Sequence, residues 1–184
     1  MVRIAYNHCM KPPPLIGFSM MTSPAQNRLF ILDGMALAYR AYFAFIMNPI
    51  RNSKGENTSA ILGFANTLLS ILDQEKPTHI VACFDTSAPT PRHLEFPAYK
   101  ANRESMPDDL RSQIPEIVAM LEAFRIPVLR FDGYEADDTI GTLCRIAGET
   151  GSFDSYMVSA DKDLGQLISG NTFSVETRKT RCGS

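Results

Sequence analysis

Short, uninterrupted apolar runs recur along this chain and limit the folds open to it. The five runs, the last weaker than the others, are residues 28–32, 79–84, 127–131, 156–158 and 172–175. Runs of this length without polar alternation are typical of strands buried on both faces of a parallel sheet. Parallel neighbours need long crossover connections, most often helices.

Helical patterns fill the intervals between these runs. Apolar residues recur every three or four positions in three segments, as in amphipathic helices. The segments are residues 61–72, 110–124 and 136–147. We expect Pro115 to kink or split the second helix, and Gly148 or Gly151 to end the third. Strands that alternate with helices predict an α/β fold, with a mainly parallel central sheet and helices on both faces in a Rossmann-like three-layer arrangement.

Length and composition fit one globular domain, with 184 residues and an apolar fraction of 45%. The net charge of −2 excludes a polycation that coats nucleic acid, so a phosphate partner would need a local basic patch or metal ions. We expect residues 28–175 to form the domain, residues 1–27 to be a disordered or misassigned extension, and residues 176–184 to be a divergent tail. No signal peptide or membrane span is expected.

Several common site types are missing from the sequence. The four cysteines lie far apart and lack metal-knuckle spacing; Cys83 and Cys144 occupy apolar positions, where we expect free, buried thiols in a reducing compartment. Glycine-rich phosphate loops of the GxGxxG and Walker types are absent, and so is GxSxG. Dinucleotide-binding and serine-hydrolase functions are therefore excluded.

Acidic residues follow four of the apolar runs. The carboxyl ends of parallel strands lie along one edge of a sheet, where ligands bind, so these acids should meet in one cleft. Any one of them could instead cap a helix or suit the dipole of its first turn. Capping needs one acid per helix, whereas the sequence offers seven acids. They are Asp33, Asp85, Glu135, Asp137, Asp138, Asp161 and Asp163.

A cluster of this kind needs cations. Two unit charges roughly 4 Å apart repel by about 4 kcal/mol at an effective dielectric near 20. Because no histidine or cysteine stands at the strand ends, the ligands would be oxygens alone, which favours Mg²⁺ or Mn²⁺ over Zn²⁺. Such ions complete their shells with water and substrate phosphates. The pattern therefore predicts chemistry on a phosphate ester.

The segment 86–106 is long for a connection in a compact domain. Its Lys100 and Arg103 are candidate contacts for flanking phosphates, and its Tyr99 is a candidate for stacking on a base. Position alone favours solvated loop charges for the two cations. Arg40, between Tyr39 and Tyr42, is compatible with a surface arginine that lies over aromatic rings.

Five longer stretches are distinctive in their amino-acid sequence and in their order along the chain. They read LDGMALAYRAYFAF, NSKGENTSAILGF, FDTSAPTPRHLEFPAYKANRESMPDDLRSQIP, GYEADDTIGTL and SADKDLGQLI. Together they resemble the 5′ nuclease domain at the N-terminus of bacterial DNA polymerase I, a family related to the flap endonucleases. The resemblance runs from about residue 29 to residue 175 and marks residues 28–175 as the N-terminal part of a 5′ nuclease catalytic domain.

The resemblance implies a metal-dependent 5′→3′ exonuclease or flap endonuclease that hydrolyses DNA in replication and repair with two Mg²⁺ or Mn²⁺ ions. Asp161 and Asp163 match acids that serve or approach the second metal. Lys100 matches an electrophilic helper at the scissile phosphate. Lys100 and Arg103 match the basic residues of an arch over the free 5′ strand. Arg40 resembles a residue that contacts a substrate phosphate. Five residues match the family's acids at the first metal: Asp33, Asp85, Glu135, Asp137 and Asp138. Of these, the resemblance implies a catalytic role for Asp33, Asp85 and Asp138.

The resemblance ends after residue 175. We therefore expect the family's helix–hairpin–helix part to be missing and the second metal site to be incomplete. Two alternatives stay open: an inert truncated fragment that only binds metal or DNA, and a stand-alone nuclease of the broader PIN-like group that acts on RNA. We expect a monomer in the bacterial cytoplasm, with DNA that carries a 5′ end or flap as its partner.

Overall fold

Five parallel strands form the centre of the molecule, as the apolar runs predict. The computed structural model describes residues 3–4, 27–88, 90–96 and 105–176. The strands are β1 (Arg3–Ile4), β2 (Asn27–Asp33), β3 (His79–Cys83), β4 (Val128–Leu129), β5 (Phe153–Val158) and β6 (Thr172–Glu176). Their order across the sheet is β1-β6-β5-β2-β3-β4. Strands β2 to β6 run parallel, and β1 pairs antiparallel with the end of β6.

Helices connect the strands. They are α1 (Gly34–Ala44), α2 (Ser59–Ser70), α3 (Pro91–Glu95), α4 (Asp108–Arg111), α5 (Ile114–Ala123) and α6 (Ala136–Thr150). A π-helical turn (Ile71–Glu75) continues α2, and a 3-10 helix (Asp163–Leu167) follows β5. Within the described ranges, no helix is both long and apolar enough to cross a bilayer.

The sheet is covered on both faces, which confirms the three-layer prediction. Alternate residues of β2 point to opposite sides of the sheet. Phe30 and Leu32 belong to a buried cluster with α1, α2 and α5, whereas Ile31 belongs to a second cluster with α6. The thiols of Cys83 and Cys144 are free and buried, as predicted, and both lie in the cluster beside α6.

The register aligns the carboxyl ends of the central strands. Leu32 of β2 lies between Ala82 of β3 and Val158 of β5. The apolar run 127–131 gives a shorter strand than the sequence predicts, because a turn begins at its end: the N–H of Tyr134 donates to the carbonyl of Phe131 at 3.2 Å. Strand ends and their following loops therefore share one edge.

The predicted breaks in the helices fall where expected. The segment around Pro115 is split: α4 ends at Arg111 and α5 begins at Ile114, with the proline in its first turn, where no amide hydrogen is needed. Gly151 ends α6 in the left-handed conformation, with φ of 64°. The two residues of β1 belong to the segment 1–27, which is predicted to be an extension. The predicted domain boundaries stay a prediction.

Candidate functional site

One cavity of about 940 Å³ lies at the carboxyl edge of the sheet and is lined by five of the seven predicted acids. The five are Asp33, Asp85, Glu135, Asp137 and Asp161. They come from the ends of β2 and β3, the start of α6 and the loop after β5. The topology thus brings together side chains as far apart in sequence as Asp33 and Asp161, which are separated by 128 positions.

Asp33 is the buried member of the cluster, with 4% of its surface exposed. One carboxylate oxygen accepts from the N–H of Ala36 at 3.0 Å and so caps α1, and the other accepts from the hydroxyl of Ser159 at 2.6 Å. Burial raises the pKa of Asp33 above its ordinary value, and the charges of Asp85 and Asp161 add to the rise, against the lowering by its two hydrogen bonds.

The residue after Asp33 has to be glycine for a packing reason. A Cβ on Gly34 would lie 2.3 Å from the ring carbons of Phe84, far inside contact distance. Phe84 in turn precedes Asp85. The close approach of α1 to the end of β3 therefore holds the first two acids near each other.

Asp85 joins the sheet to the helix that carries the next acids. Its Oδ1 accepts from the N–H of Ala136, the first residue of α6, at 2.8 Å. Glu135 is the N-cap of the same helix, and its own N–H donates to the carboxylate of Asp138 at 3.1 Å in a capping box. The helix start is thus fixed against the end of β3.

Arg92 of α3 binds two of the predicted acids. Its guanidinium lies 3.1 Å from Oε2 of Glu135 and 2.7 Å from Oδ1 of Asp138. Glu135 also lines the cavity, whereas Asp138 does not. Asp138 therefore contacts the site through Arg92 and the helix cap.

The pKa of Asp137 reflects the negative charge of the acids around it. Loss of hydration raises the pKa of its carboxyl to about 6, and repulsion from Asp33, Asp161, Asp85 and Glu135 contributes to the rise. The five acids thus act on one another through the cavity. A cation placed among them would relieve this repulsion.

The loop after β5 is ordered by its own hydrogen bonds. The Ser159 hydroxyl, which donates to Asp33, accepts from the N–H of Asp161 at 3.0 Å. The carboxylate of Asp161 accepts from the N–H of Asp163 at 2.9 Å. Asp163 itself is exposed and does not line the cavity.

The donor chemistry of the cavity fits a hard divalent cation, since its ligands would be carboxylate oxygens alone. Among the residues that the structure describes, no three acidic, histidine or cysteine side chains are grouped so as to hold one metal ion as they stand. Oxygens of Asp33, Asp85 and Glu135 are engaged by protein donors, and a bound cation would compete with these donors.

Other predicted site residues fall elsewhere. Tyr99, Lys100 and Arg103 lie outside the described residues. Arg40 is half-buried on α1 and does not line the cavity. Their roles, like those of the acids in metal binding, stay predictions.

Sequence reasoning missed residues that the structure places at the site. Arg92 is 43 positions from Glu135, a separation that no local spacing rule connects. Thr86, Arg111 and Arg130 line the cavity, and Ser159 orients Asp33. The available signal was membership of the distinctive stretches: the longest one contains Thr86, Arg92 and Arg111, and Ser159 begins the SADKDLGQLI stretch, whereas Arg130 lies outside all five.

The chain is similar to known proteins over most of its length. A family model described as the 5′-3′ exonuclease, N-terminal resolvase-like domain matches residues 28–183. DNA polymerase I of Bacillus subtilis is 42% identical over 154 residues, which cover 84% of this chain and 17% of that protein. A 5′-3′ exonuclease of Aquifex aeolicus is 43% identical over 143 residues, which cover 78% of this chain and 48% of that protein.

Solved structures share the fold. The bacteriophage T5 5′-exonuclease with bound zinc has a TM-score of 0.56 at 21% identity, over 80% of this chain and 54% of that one. The T5 flap endonuclease in a pseudo-enzyme-product complex with DNA and metal ions has a TM-score of 0.56 at 18% identity, over 80% and 54%.

The match to the family model covers well over half of the sequence. The chain spans less than a fifth of the length of the DNA polymerase I relatives and about half of the Aquifex exonuclease. On the strength of residues 28–183, this chain belongs to the family of 5′-3′ exonucleases, through their N-terminal resolvase-like domain.

Proposed function

We propose that this chain is a metal-dependent 5′→3′ exonuclease or flap endonuclease that hydrolyses DNA phosphodiester bonds, as part of a DNA polymerase I-type protein in replication and repair. The observation that supports it best is the convergence of five carboxylates from four separate segments on one open cavity. Membership in the exonuclease family supports the same reaction.

Mg²⁺ or Mn²⁺ is the cofactor that these residues favour. Carboxylate oxygens are the donors that both ions prefer. When bound, the ions supply an activated water and stabilise the leaving oxygen of an in-line displacement. The residues proposed to hold them are the five cavity acids, with Asp138 and Asp163 as further acids carried over from the resemblance.

The protein groups have distinct tasks in this proposal. The Ser159 hydroxyl and the Ala36 amide fix the orientation of the Asp33 carboxylate. Asp85 holds the start of α6 in place through the hydrogen bond from the N–H of Ala136. The acids keep a high negative charge density in the cavity, which selects divalent cations.

Substrate binding is assigned to basic and aromatic residues. Lys100, Arg103 and Arg40 are proposed to contact phosphates, Lys100 at the scissile one, and Tyr99 to stack on a base. The proposed partner is DNA with a free 5′ end or flap. We also propose that the protein acts as a monomer in the bacterial cytoplasm.

Cleavage of a 5′-flapped oligonucleotide tests this function. The wild-type chain should release labelled 5′ products in Mg²⁺ and none in EDTA, and Asp85→Ala should abolish release. Asp73→Ala is a matched control, because Asp73 is an exposed acid in the π-helical turn before β3, at the opposite end of that strand. Cutting in EDTA, or cutting unaffected by Asp85→Ala, contradicts the proposal. An RNA flap run in parallel separates a ribonuclease from a deoxyribonuclease.

A further inference from the structure

Two arginines line the cavity that holds the five acids. Arg111 is the last residue of α4, and Arg130 follows β4. A cavity with carboxylates alone repels the phosphates of a nucleic acid. The presence of two guanidinium groups in the same cavity indicates a place for anionic groups beside the acids.

Arg130 is held with its hydrogen-bond donors available. The N–H of Phe84 donates to the carbonyl of Leu129 at 3.0 Å, which aligns the ends of β3 and β4. The Arg130 guanidinium lies over the Phe84 ring, 5.1 Å from its centroid. In the part of the chain that the structure describes, Arg130 makes no ion pair. Stacking thus orients the planar group and leaves its edge free for a bidentate contact.

Arg111 is held only weakly. Its ion pair with Asp108 spans 3.7 Å, and the two side chains are 63% and 96% exposed. A second nitrogen donates to the carbonyl of Met106 at 3.4 Å. Exposed pairs of this kind contribute little, so a phosphate can redirect the side chain at small cost.

Thr86 adds a donor that has no partner. Its Oγ1 is buried and forms no hydrogen bond among the described residues, although the residue lines the cavity. Buried hydroxyls are nearly always paired, and an orphan group indicates a position where a water or ligand oxygen binds. Because Thr86 directly follows Asp85, an oxygen bound to it would lie beside the acids.

We propose that Arg111, Arg130 and the Thr86 hydroxyl bind backbone phosphate groups of the DNA strand within the acid-lined cavity. The inference rests on the proposed function and adds to it a binding surface made from this chain's own side chains. The two arginines neutralise phosphate charge, and the hydroxyl donates to a phosphate oxygen. Recognition is of the backbone and is independent of base sequence.

Equilibrium binding tests this proposal without any cleavage. A fluorescein-labelled 5′-flapped oligonucleotide is titrated with protein in EDTA and in Ca²⁺, at several KCl concentrations, and anisotropy is recorded. Each of Arg111→Gln and Arg130→Gln should weaken binding several-fold and reduce the slope of log affinity against log salt by about 0.7 to 0.9. The double variant should lose about twice that slope. Thr86→Val should weaken binding with an unchanged slope.

Two controls make the result specific. Arg145→Gln removes an exposed arginine of α6 that pairs with Glu149, and it should bind DNA as the wild type does. Melting curves should show that every variant is folded, and Arg111→Lys and Arg130→Lys should each keep the wild-type salt slope. Affinity and slope unchanged in the double variant would overturn the inference.

The binding test of this surface and the cleavage test of the proposed function can fail independently. If the wild type cleaves flapped DNA in Mg²⁺ while the double variant binds like the wild type, the inference fails and the function stands. If the wild type binds through these residues in EDTA but never cleaves, the function fails and the binding surface stands. Loss of binding in Arg145→Gln equal to that in the double variant counts against the surface, because any exposed arginine would then suffice.

Discussion

The carboxylate of Asp85 accepts a hydrogen bond from the backbone N–H of Ala136 at 2.8 Å. This contact makes one residue both a helix cap and a member of the acid cluster. Capping and clustering were alternatives in the sequence, and the structure shows that they coexist, because the edge where acids converge is also where α6 begins. Asp33 has the same double role at the start of α1.

Asp85→Asn separates the two roles. The asparagine Oδ1 can still accept from Ala136, so the melting temperature should change by only a few degrees, while the lost charge should reduce Mg²⁺-dependent DNA cleavage by at least about a hundredfold. Melting curves and initial cleavage rates measure the two effects. Asp73→Asn should change neither. If Asp85→Asn lost much stability but still cleaved DNA at the wild-type rate, Asp85 would serve as a helix cap and not in the metal site.

Asp137→Asn should stabilise the metal-free protein in a pH-dependent way. The folded-state pKa of Asp137 is raised from 3.8 to about 6. Between these values the folded state keeps a proton that the unfolded state has lost, so its stability falls as pH rises through this window. The gain of Asp137→Asn over wild type should be complete above about pH 6 and vanish below pH 3.8. Urea unfolding at a series of pH values measures it; a gain of the opposite sign, or one that is flat with pH, contradicts the account.

Arg92→Gln should strengthen binding of a divalent cation to the free protein. The guanidinium occupies oxygens of Glu135 and Asp138 that a cation could use, so its removal lowers the competition. Because the Glu135 side chain that loses this partner is only 8% exposed, the stability cost should be about 1 to 3 kcal/mol. A Mn²⁺ titration followed by calorimetry compares the two proteins, with Arg145→Gln as control. Weaker Mn²⁺ binding in Arg92→Gln would show that Arg92 supports the metal ligands.

Gln113→Leu should be strongly destabilising although the residue is remote from the acids. Gln113 is 2% exposed; its Oε1 accepts from the N–H groups of Ala60 and Ile61, and its Nε2 donates to the carbonyl of Asp109. Loss of these bonds leaves buried polar groups unpaired, at about 3 kcal/mol or more in total. Denaturant unfolding measures the loss. The exposed Gln74→Leu should be nearly neutral, and equal effects at both positions would contradict this account.

The fold was largely predictable because its signals are local. Apolar runs and stripes give the strands and helices, Pro115 gives the break between α4 and α5, and Gly151 gives the end of α6. The short β4 was less predictable, since the turn before Tyr134 removes residues of the run from the sheet. Long-range hydrogen bonds such as those of Gln113 correspond to no periodic pattern in the sequence, so they could not be predicted from it.

The site was predictable in part for a topological reason. Parallel strands bring their carboxyl ends to one edge, which places Asp33, Asp85 and Asp161 correctly from chain order alone. Helical periodicity places Asp137 toward the sheet edge and Asp138 on another face, and the structure has Asp137 in the cavity and Asp138 paired with Arg92. Spacing alone could not assign the metal ligands among them. Arg111 lies within the longest of the five distinctive stretches, but no spacing rule marks it as a cavity residue, and Arg130 lies outside all five stretches.

Calorimetric titration with Mn²⁺ at about pH 8, above the raised pKa of Asp137, tests the shared cation site most directly. The wild-type chain should bind Mn²⁺, and Asp33→Asn and Asp137→Asn should each weaken binding at least about tenfold, while Asp73→Asn binds like the wild type. No binding by the folded wild-type chain, or equal binding by all four proteins, would contradict the claim that the cavity acids hold a divalent ion.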